Sequence, residues 1–140
     1  MVASKPYIYE HFQALVTQAG PRVSLKCAVV GTPAPVVIWT LDGSSLSADD
    51  RIVVSNHSVE NGDVISVVNV IGIRLQDGGL YRCTAKNDHG TDTWEARIDV
   101  YGRILKLVLL FHLHIVGLIE EVVLEVVVVI VVAVAVEEVV

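Results

Sequence analysis

Cysteine and positive charge are both scarce in this sequence, and each shortage excludes a class of site. Only two cysteines occur among 140 residues, too few for a zinc site built from cysteine ligands. The 10 Lys and Arg residues are outnumbered by 16 Asp and Glu, and the net charge of −6 argues against nucleic acid as a partner. No histidine is spaced to activate a serine or cysteine nucleophile, so we expect no enzymatic activity, metal, cofactor or small-molecule substrate.

From the sequence we also expect neither a signal peptide nor a membrane-spanning run. Residues 1–7 have no apolar segment of the signal-peptide type. Residues 103–140 consist mainly of Leu, Ile, Val, Ala and Glu, but the longest stretches without an acidic or basic residue, 107–119 and 126–136, fall short of the roughly 18 apolar residues of a spanning helix. We therefore predict a low-complexity Val/Glu-rich tail that lies outside any domain and is prone to aggregation.

The two cysteines flank a tryptophan in a pattern typical of a two-sheet β-sandwich. Cys27 and Cys83 bracket Trp39, and the second cysteine is preceded by Asp77-Gly-Gly-Leu-Tyr81-Arg. In an immunoglobulin domain a disulfide joins the two sheets, an indole packs against it, and a tyrosine two residues before the second cysteine bonds to backbone at a corner. We therefore predict an all-β immunoglobulin-like sandwich with a Cys27–Cys83 disulfide and with Trp39 and Tyr81 in its core.

Short runs of alternating apolar residues support this fold between residues 6 and 102. Odd positions are apolar over 23–29 and again over 37–41, and Asn61-Gly62 is a typical hairpin turn. The segment between Leu41 and Arg51 has room for one short strand and not for the two of a variable-type domain. The pattern therefore favours the intermediate set, with residues 6–102 as the domain and 103–140 as the tail.

Two further predictions concern a strand expected over residues 51–55. Arg51 begins this strand, and Asp77 lies at the corner before Tyr81, so we expect the two to form an ion pair that is part of the architecture. At the other end of the strand, Asn56-His57-Ser58 is an acceptor sequence for N-linked glycan. Such tripeptides also occur by chance, and the prediction depends on an extracellular location.

One face of the predicted sandwich is a candidate for self-interaction. Counting alternate positions puts five side chains outward on one sheet: Lys26, Val53, Ser55, Val67 and Asn69. A mixture of apolar and polar groups on an exposed sheet suits a modest, specific protein contact, whereas scattered surface valines are ordinary. A two-fold contact would require this surface to be complementary to itself.

Particular motifs run through the whole predicted domain, at residues 20–27, 31–35, 39–43, 61–64, 77–86 and 98–102. The Asn61-Gly-Asp-Val64 turn, the doubled Gly78-Gly79 and the closing Val100-Tyr-Gly102 are the most distinctive. In these motifs residues 6–102 resemble the Down syndrome cell adhesion molecule (Dscam) family of arthropods, and most of all its variable seventh immunoglobulin domain. The tail has no counterpart, since the family continues into another immunoglobulin domain.

The resemblance implies a piece of a neuronal receptor on the extracellular side of the plasma membrane. Its expected function is homophilic cell–cell adhesion in axon guidance and dendrite self-avoidance, with immune recognition as a further role in arthropods. The expected partner is a copy of the same protein, and the membrane is reached only through the remainder of a longer receptor, of which this chain is expected to be a fragment.

Two alternatives stay open at this point. An intermediate-set domain of an intracellular muscle filament protein would act as an elastic spacer and would keep Cys27 and Cys83 as free thiols. A receptor module that binds a different protein would stay monomeric at high concentration and would bind cells that lack it.

Overall fold

Alternation of apolar and polar residues folds the first hundred residues into two packed β-sheets. The computed structural model describes residues 2–46, 49–118 and 120–139. The strands are β1 (Ser4–His11), β2 (Leu15–Gln18), β3 (Val23–Thr32), β4 (Val36–Leu41), β5 (Ser44–Ser45), β6 (Ile52–Ser58), β7 (Val64–Val70), β8 (Gly79–Asn87) and β9 (Gly90–Tyr101). One sheet has the order β1-β3-β7-β6 and the other β2-β9-β8-β4-β5, which confirms the predicted immunoglobulin-like sandwich.

The core lies between the sheets and is filled by alternate residues of the facing strands. In β3 the odd positions 23–29 are buried, and in β8 the side chains of Tyr81, Cys83 and Ala85 are removed from solvent. In β7 the even positions 64–70 face inward in the same way. This alternation follows from the two-residue period of a strand and buries one continuous apolar cluster.

The β6 strand is longer than the expected 51–55. It pairs with β7 from Ile52 opposite Val70 to Ser58 opposite Val64, so Asn56 lies inside the strand and not at its end. The hydrogen-bonded turn between Val59 and Asp63 closes this hairpin, and pairing therefore extends three residues beyond the expected end at Ser55. The short strand expected after Leu41 is β5, which pairs with the end of β4.

The first two strands were not assigned from the sequence, and they belong to different sheets. Between them the chain crosses from the edge of one sheet to the edge of the other, and Phe12 is buried at the crossing. A register shift between Ile8 and Glu10 in the β1–β3 pair precedes this crossing. Irregular pairing of this kind removes the two-residue period by which strands are recognised in a sequence.

From Tyr101 onward the chain forms a separate unit that contains two helices. Its helices are α1 (Arg103–Ile115) and α2 (Glu121–Val139), which contact each other and bury Val127. Valine is a weaker helix former than alanine. A helix nevertheless suits this segment, because it pairs the backbone N–H and C=O groups within the segment itself. Within the described residues, no single helix is both long enough and apolar enough to cross a membrane.

Candidate protein-binding face

The predicted disulfide is present, and a buried hydrogen bond between the two sheets lies beside it. Cys27 and Cys83 are joined between the two sheets, with Cα atoms 6.7 Å apart. Beside the bridge, Trp39 is buried and its Nε1–H donates to Ser66 Oγ at 2.8 Å. The ring of Phe12 packs against the indole with 5.6 Å between the ring centroids. A covalent link, a buried hydrogen bond and aromatic packing therefore hold the two sheets together, and all three lie close together.

The corner before β8 is organised by the carboxylate of Asp77. Arg51 donates to it through two nitrogens, Nη1 to Oδ2 at 3.0 Å and Nη2 to Oδ1 at 3.1 Å. The backbone N–H of Arg74 also donates to Oδ2, at 2.8 Å. The hydrogen bond to Asp77 raises the pKa of Arg51 above its usual value. A two-nitrogen contact of this kind fixes orientation as well as charge, so the pair anchors the start of β6 to the corner.

Tyr81 completes that corner from inside the core. Its hydroxyl donates to the backbone carbonyl of Asp77 at 2.5 Å, which is the tyrosine-corner contact of this fold. Burial, helped by the negative charges of Asp77 and Asp42, raises the pKa of Tyr81 to about 12. The ring and hydroxyl of Tyr81 thus serve the structure of the corner.

The structure brings the five residues of the predicted self-interaction face together on the outer surface of the β1-β3-β7-β6 sheet. Val67 lies at the centre, between Lys26 of β3 and Ser55 of β6. In the neighbouring row Asn69 lies between Ser24 and Val53. We call this surface the outer face. Besides Lys26, Val53, Ser55, Val67 and Asn69, it includes Tyr7, Tyr9, Glu10 and Val30, which are described below.

The outer face extends further than the sequence pattern suggested. Tyr7 pairs with Val30 on this surface, and these side chains are 62% and 42% exposed. Nearby, the Tyr9 hydroxyl donates to Asp63 Oδ2 at 2.9 Å, a bond that raises the pKa of Tyr9. Tyrosine is enriched in protein interfaces because its ring is large and its hydroxyl can bond to a partner. Tyr7 and Tyr9 were missed because β1 was not assigned.

Opposite charges are present together on the outer face. Lys26 Nζ lies 3.1 Å from Glu10 Oε1, and both side chains are largely exposed. Exposed pairs of this kind contribute little to folding. In a two-fold contact, however, a surface that carries both signs can offer each charge an opposite partner on the second copy.

The glycan acceptor lies at the edge of the same sheet but belongs to its other side. Asn56 pairs with Ser66, whose side chain points into the core, whereas Ser55 and His57 pair with Val67 and Ile65 of the outer face. Asn56 is nevertheless exposed, because β6 is an outer strand of its sheet. The acceptor amide is therefore accessible without lying on the outer face.

The second sheet also has an exposed apolar surface, which is an alternative to the outer face as a site for protein binding. Val36 and Ile38 of β4 are 65% and 51% exposed, and together with Lys86 they line a shallow open cavity of about 350 Å³. This cavity contains no histidine, cysteine or serine that could act as a nucleophile. In the part of the chain that the structure describes, no three His, Cys, Asp or Glu side chains are grouped as a metal site would require.

Comparison with known proteins identifies relatives of the sandwich. The sequence profile of the immunoglobulin I-set domain family matches residues 6–100. Over 97 residues, the chain is 40% identical to Drosophila melanogaster cell adhesion molecule Dscam1 and 38% identical to human cell adhesion molecule DSCAM. Each alignment covers 69% of this chain and 5% of the relative, so the chain spans a small part of these proteins.

Solved structures show the same relationship. The N-terminal eight immunoglobulin domains of DSCAM isoform 1.30.30 match with a TM-score of 0.69 and 39% identity, over 71% of this chain and 13% of that one. The titin M3 domain matches with a TM-score of 0.62 and 25% identity, over 69% of this chain and 97% of that one. The chain is thus similar to a module of the first protein and to an entire domain from the second.

Proposed function

Because the chain belongs to the immunoglobulin I-set family, we propose that it is the recognition module of a cell-surface receptor that binds a copy of itself. The observation that carries the proposal is the 40% identity to Dscam1 over 97 residues, which extends through the sandwich and well beyond its core residues. A Dscam-type receptor of this kind would serve homophilic adhesion in axon guidance and dendrite self-avoidance, or immune recognition. Within such a receptor we assign the chain to the variable seventh immunoglobulin domain of an arthropod protein.

The outer face is our candidate for the contact between two copies. Its centre, Val67, is flanked by Lys26 and Ser55, and exposed tyrosines lie at one end. A two-fold axis through this centre would bring Val67 of one copy against Val67 of the other. A carboxylate at the centre would face its own copy with like charge, which destabilises the contact.

Bead aggregation tests the proposal, because many copies on each bead make a weak single contact measurable. Beads coated with the full chain should aggregate, and Val67→Asp should abolish aggregation. Ile38→Asp is the matched control, since it adds the same charge to an exposed apolar position on the opposite sheet. Aggregation that survives Val67→Asp would show that the outer face is the wrong surface. Binding only to cells that lack the chain would instead support the heterophilic receptor module.

A second candidate function rests on the likeness to the titin M3 domain. In this case the chain would be a spacer in an intracellular filament, where cysteines remain reduced. The two candidates differ in the state of Cys27 and Cys83. We expect thiol titration of the natively purified protein to find no free thiol, whereas the filament spacer would give two thiols per chain.

A further inference from the structure

Each sheet of the sandwich has two outer strands, and these differ in how they are protected. An outer strand exposes unpaired backbone N–H and C=O groups that can pair with another chain, and proteins avoid this with short strands, charges or proline. In the second sheet the outer strands β2 and β5 are only four and two residues long. In the first sheet β1 contains Lys5, Pro6 and Glu10.

The fourth outer strand, β6, has none of these protections. It extends over seven residues, Ile52–Ser58, without a lysine, arginine, acidic residue or proline. Two of its first three residues are valines, which favour pairing with a further strand. Among the four outer strands, β6 is therefore the one least protected against pairing with another chain.

The acceptor sequence for N-linked glycan lies on this same strand. We propose that Asn56 carries a glycan that covers the free edge of β6 and leaves the outer face open for binding. Asn56, His57 and Ser58 are all exposed, so a glycan fits the folded domain. Because Asn56 shares the side of Ser66 and not that of Val67, the glycan leaves the sandwich at its edge and away from the outer face.

The modification itself needs a lipid-linked oligosaccharide and the transferase of the secretory pathway. The side-chain nitrogen of Asn56 bonds to C1 of the first sugar, the bond from C1 to the diphosphate of the lipid carrier breaks, and the amide loses a proton to a base of the transferase. The resulting group is bulky and well solvated, and these properties hinder pairing along an adjacent strand. This assignment rests on the proposed extracellular function.

Intact mass measures occupancy directly. The full chain, secreted from animal cells with an added signal peptide, should lose mass on treatment with peptide N-glycosidase, and Asn56→Gln and Ser58→Ala should show no such loss. Detection of only the bare chain in the parent would overturn the proposal.

Light scattering then tests protection of the edge. Asn56→Gln and Ser58→Ala should form species of higher molar mass as concentration rises, relative to the glycosylated parent with the same tail. Asn56→Lys also removes the glycan but adds a charge to the edge, so it should behave like the parent. Equal molar masses for the parent, Asn56→Gln and Ser58→Ala would contradict a protective role.

Moving the acceptor by one residue tests the direction of the glycan. The variant Asn56→Gln/His57→Asn/Val59→Thr places the acceptor at position 57, which pairs with Ile65 on the outer face. We expect the glycosylated parent to aggregate beads and this glycosylated variant to lose aggregation. If beads coated with the glycosylated parent and beads coated with the glycosylated variant both aggregate, the side of the sheet from which the glycan extends does not affect binding. If the parent fails to aggregate beads at all, the proposed adhesion fails, while mass and light scattering still decide the role of the glycan.

Discussion

The indole Nε1–H of Trp39 donates a hydrogen bond to Ser66 Oγ across the two sheets, at 2.8 Å. Each partner lies directly beside one end of the disulfide, since Trp39 pairs with Cys83 and Ser66 pairs with Cys27. The buried serine therefore satisfies a donor that the aromatic packing alone would leave without a partner. This contact explains why a polar residue occupies an inward position of β7.

Replacing Ser66 with alanine tests this contact. The Trp39 N–H would remain buried without an acceptor, and we expect the free energy of unfolding to fall by about 1–3 kcal/mol. The measurement is urea denaturation at neutral pH. Ser24→Ala, on the exposed side of β3, is the matched control and should have little effect. In the Trp39→Phe background Ser66→Ala should cost less, and an equal cost in both backgrounds would show that the hydrogen bond contributes nothing.

Removing the carboxylate of Asp77 should destabilise the corner. Asp77→Ala leaves the Arg74 N–H and the Arg51 guanidinium without their partner, and we expect a loss of about 2 kcal/mol or more in the free energy of unfolding. Asp99→Ala removes a carboxylate from the exposed Arg97–Asp99 pair and should have a far smaller effect. Similar losses for the two variants would mean that Asp77 acts as an ordinary surface charge.

The raised pKa of Tyr81 predicts a specific loss of stability in alkali. Its pKa is about 12 in the folded chain against 10.0 for the free side chain, so between these values the unfolded chain is ionised while the folded chain is not. The unfolded state then binds fewer protons, and stability falls as pH rises from 10 to 12. Tyr81→Phe should lower stability at pH 8 but reduce the further fall between pH 10 and 12. An alkaline fall of unchanged size in this variant would contradict the account.

The sandwich could be predicted from the sequence because its regular strands keep the two-residue period. Cys27, Trp39 and Cys83 indicate both the two sheets and the disulfide between them, and Asp42-Gly43 and Asn61-Gly62 mark turns. The five predicted residues of the outer face follow from the same period. Local alternation is enough to decide which side of a sheet a residue occupies, provided that the strand is recognised.

What could not be predicted depends on contacts distant in sequence or on irregular pairing. Ser66 is polar, and only its distance to Trp39 in the folded chain explains its burial. Tyr7 and Val30 meet across a β1–β3 pair whose register is interrupted, so their position on the outer face was not visible. The apolar segment of α2 has no amphipathic period that would distinguish helix from strand, and neither helix of the tail was assigned.

Sedimentation equilibrium of residues 1–102 tests the central claim of self-recognition most directly. The account predicts a reversible monomer–dimer equilibrium for the parent, a monomer for Val67→Asp, and the parental equilibrium for Ile38→Asp. Equal dimerisation by the parent and Val67→Asp, or a parent that stays monomeric at the highest soluble concentration, would contradict it.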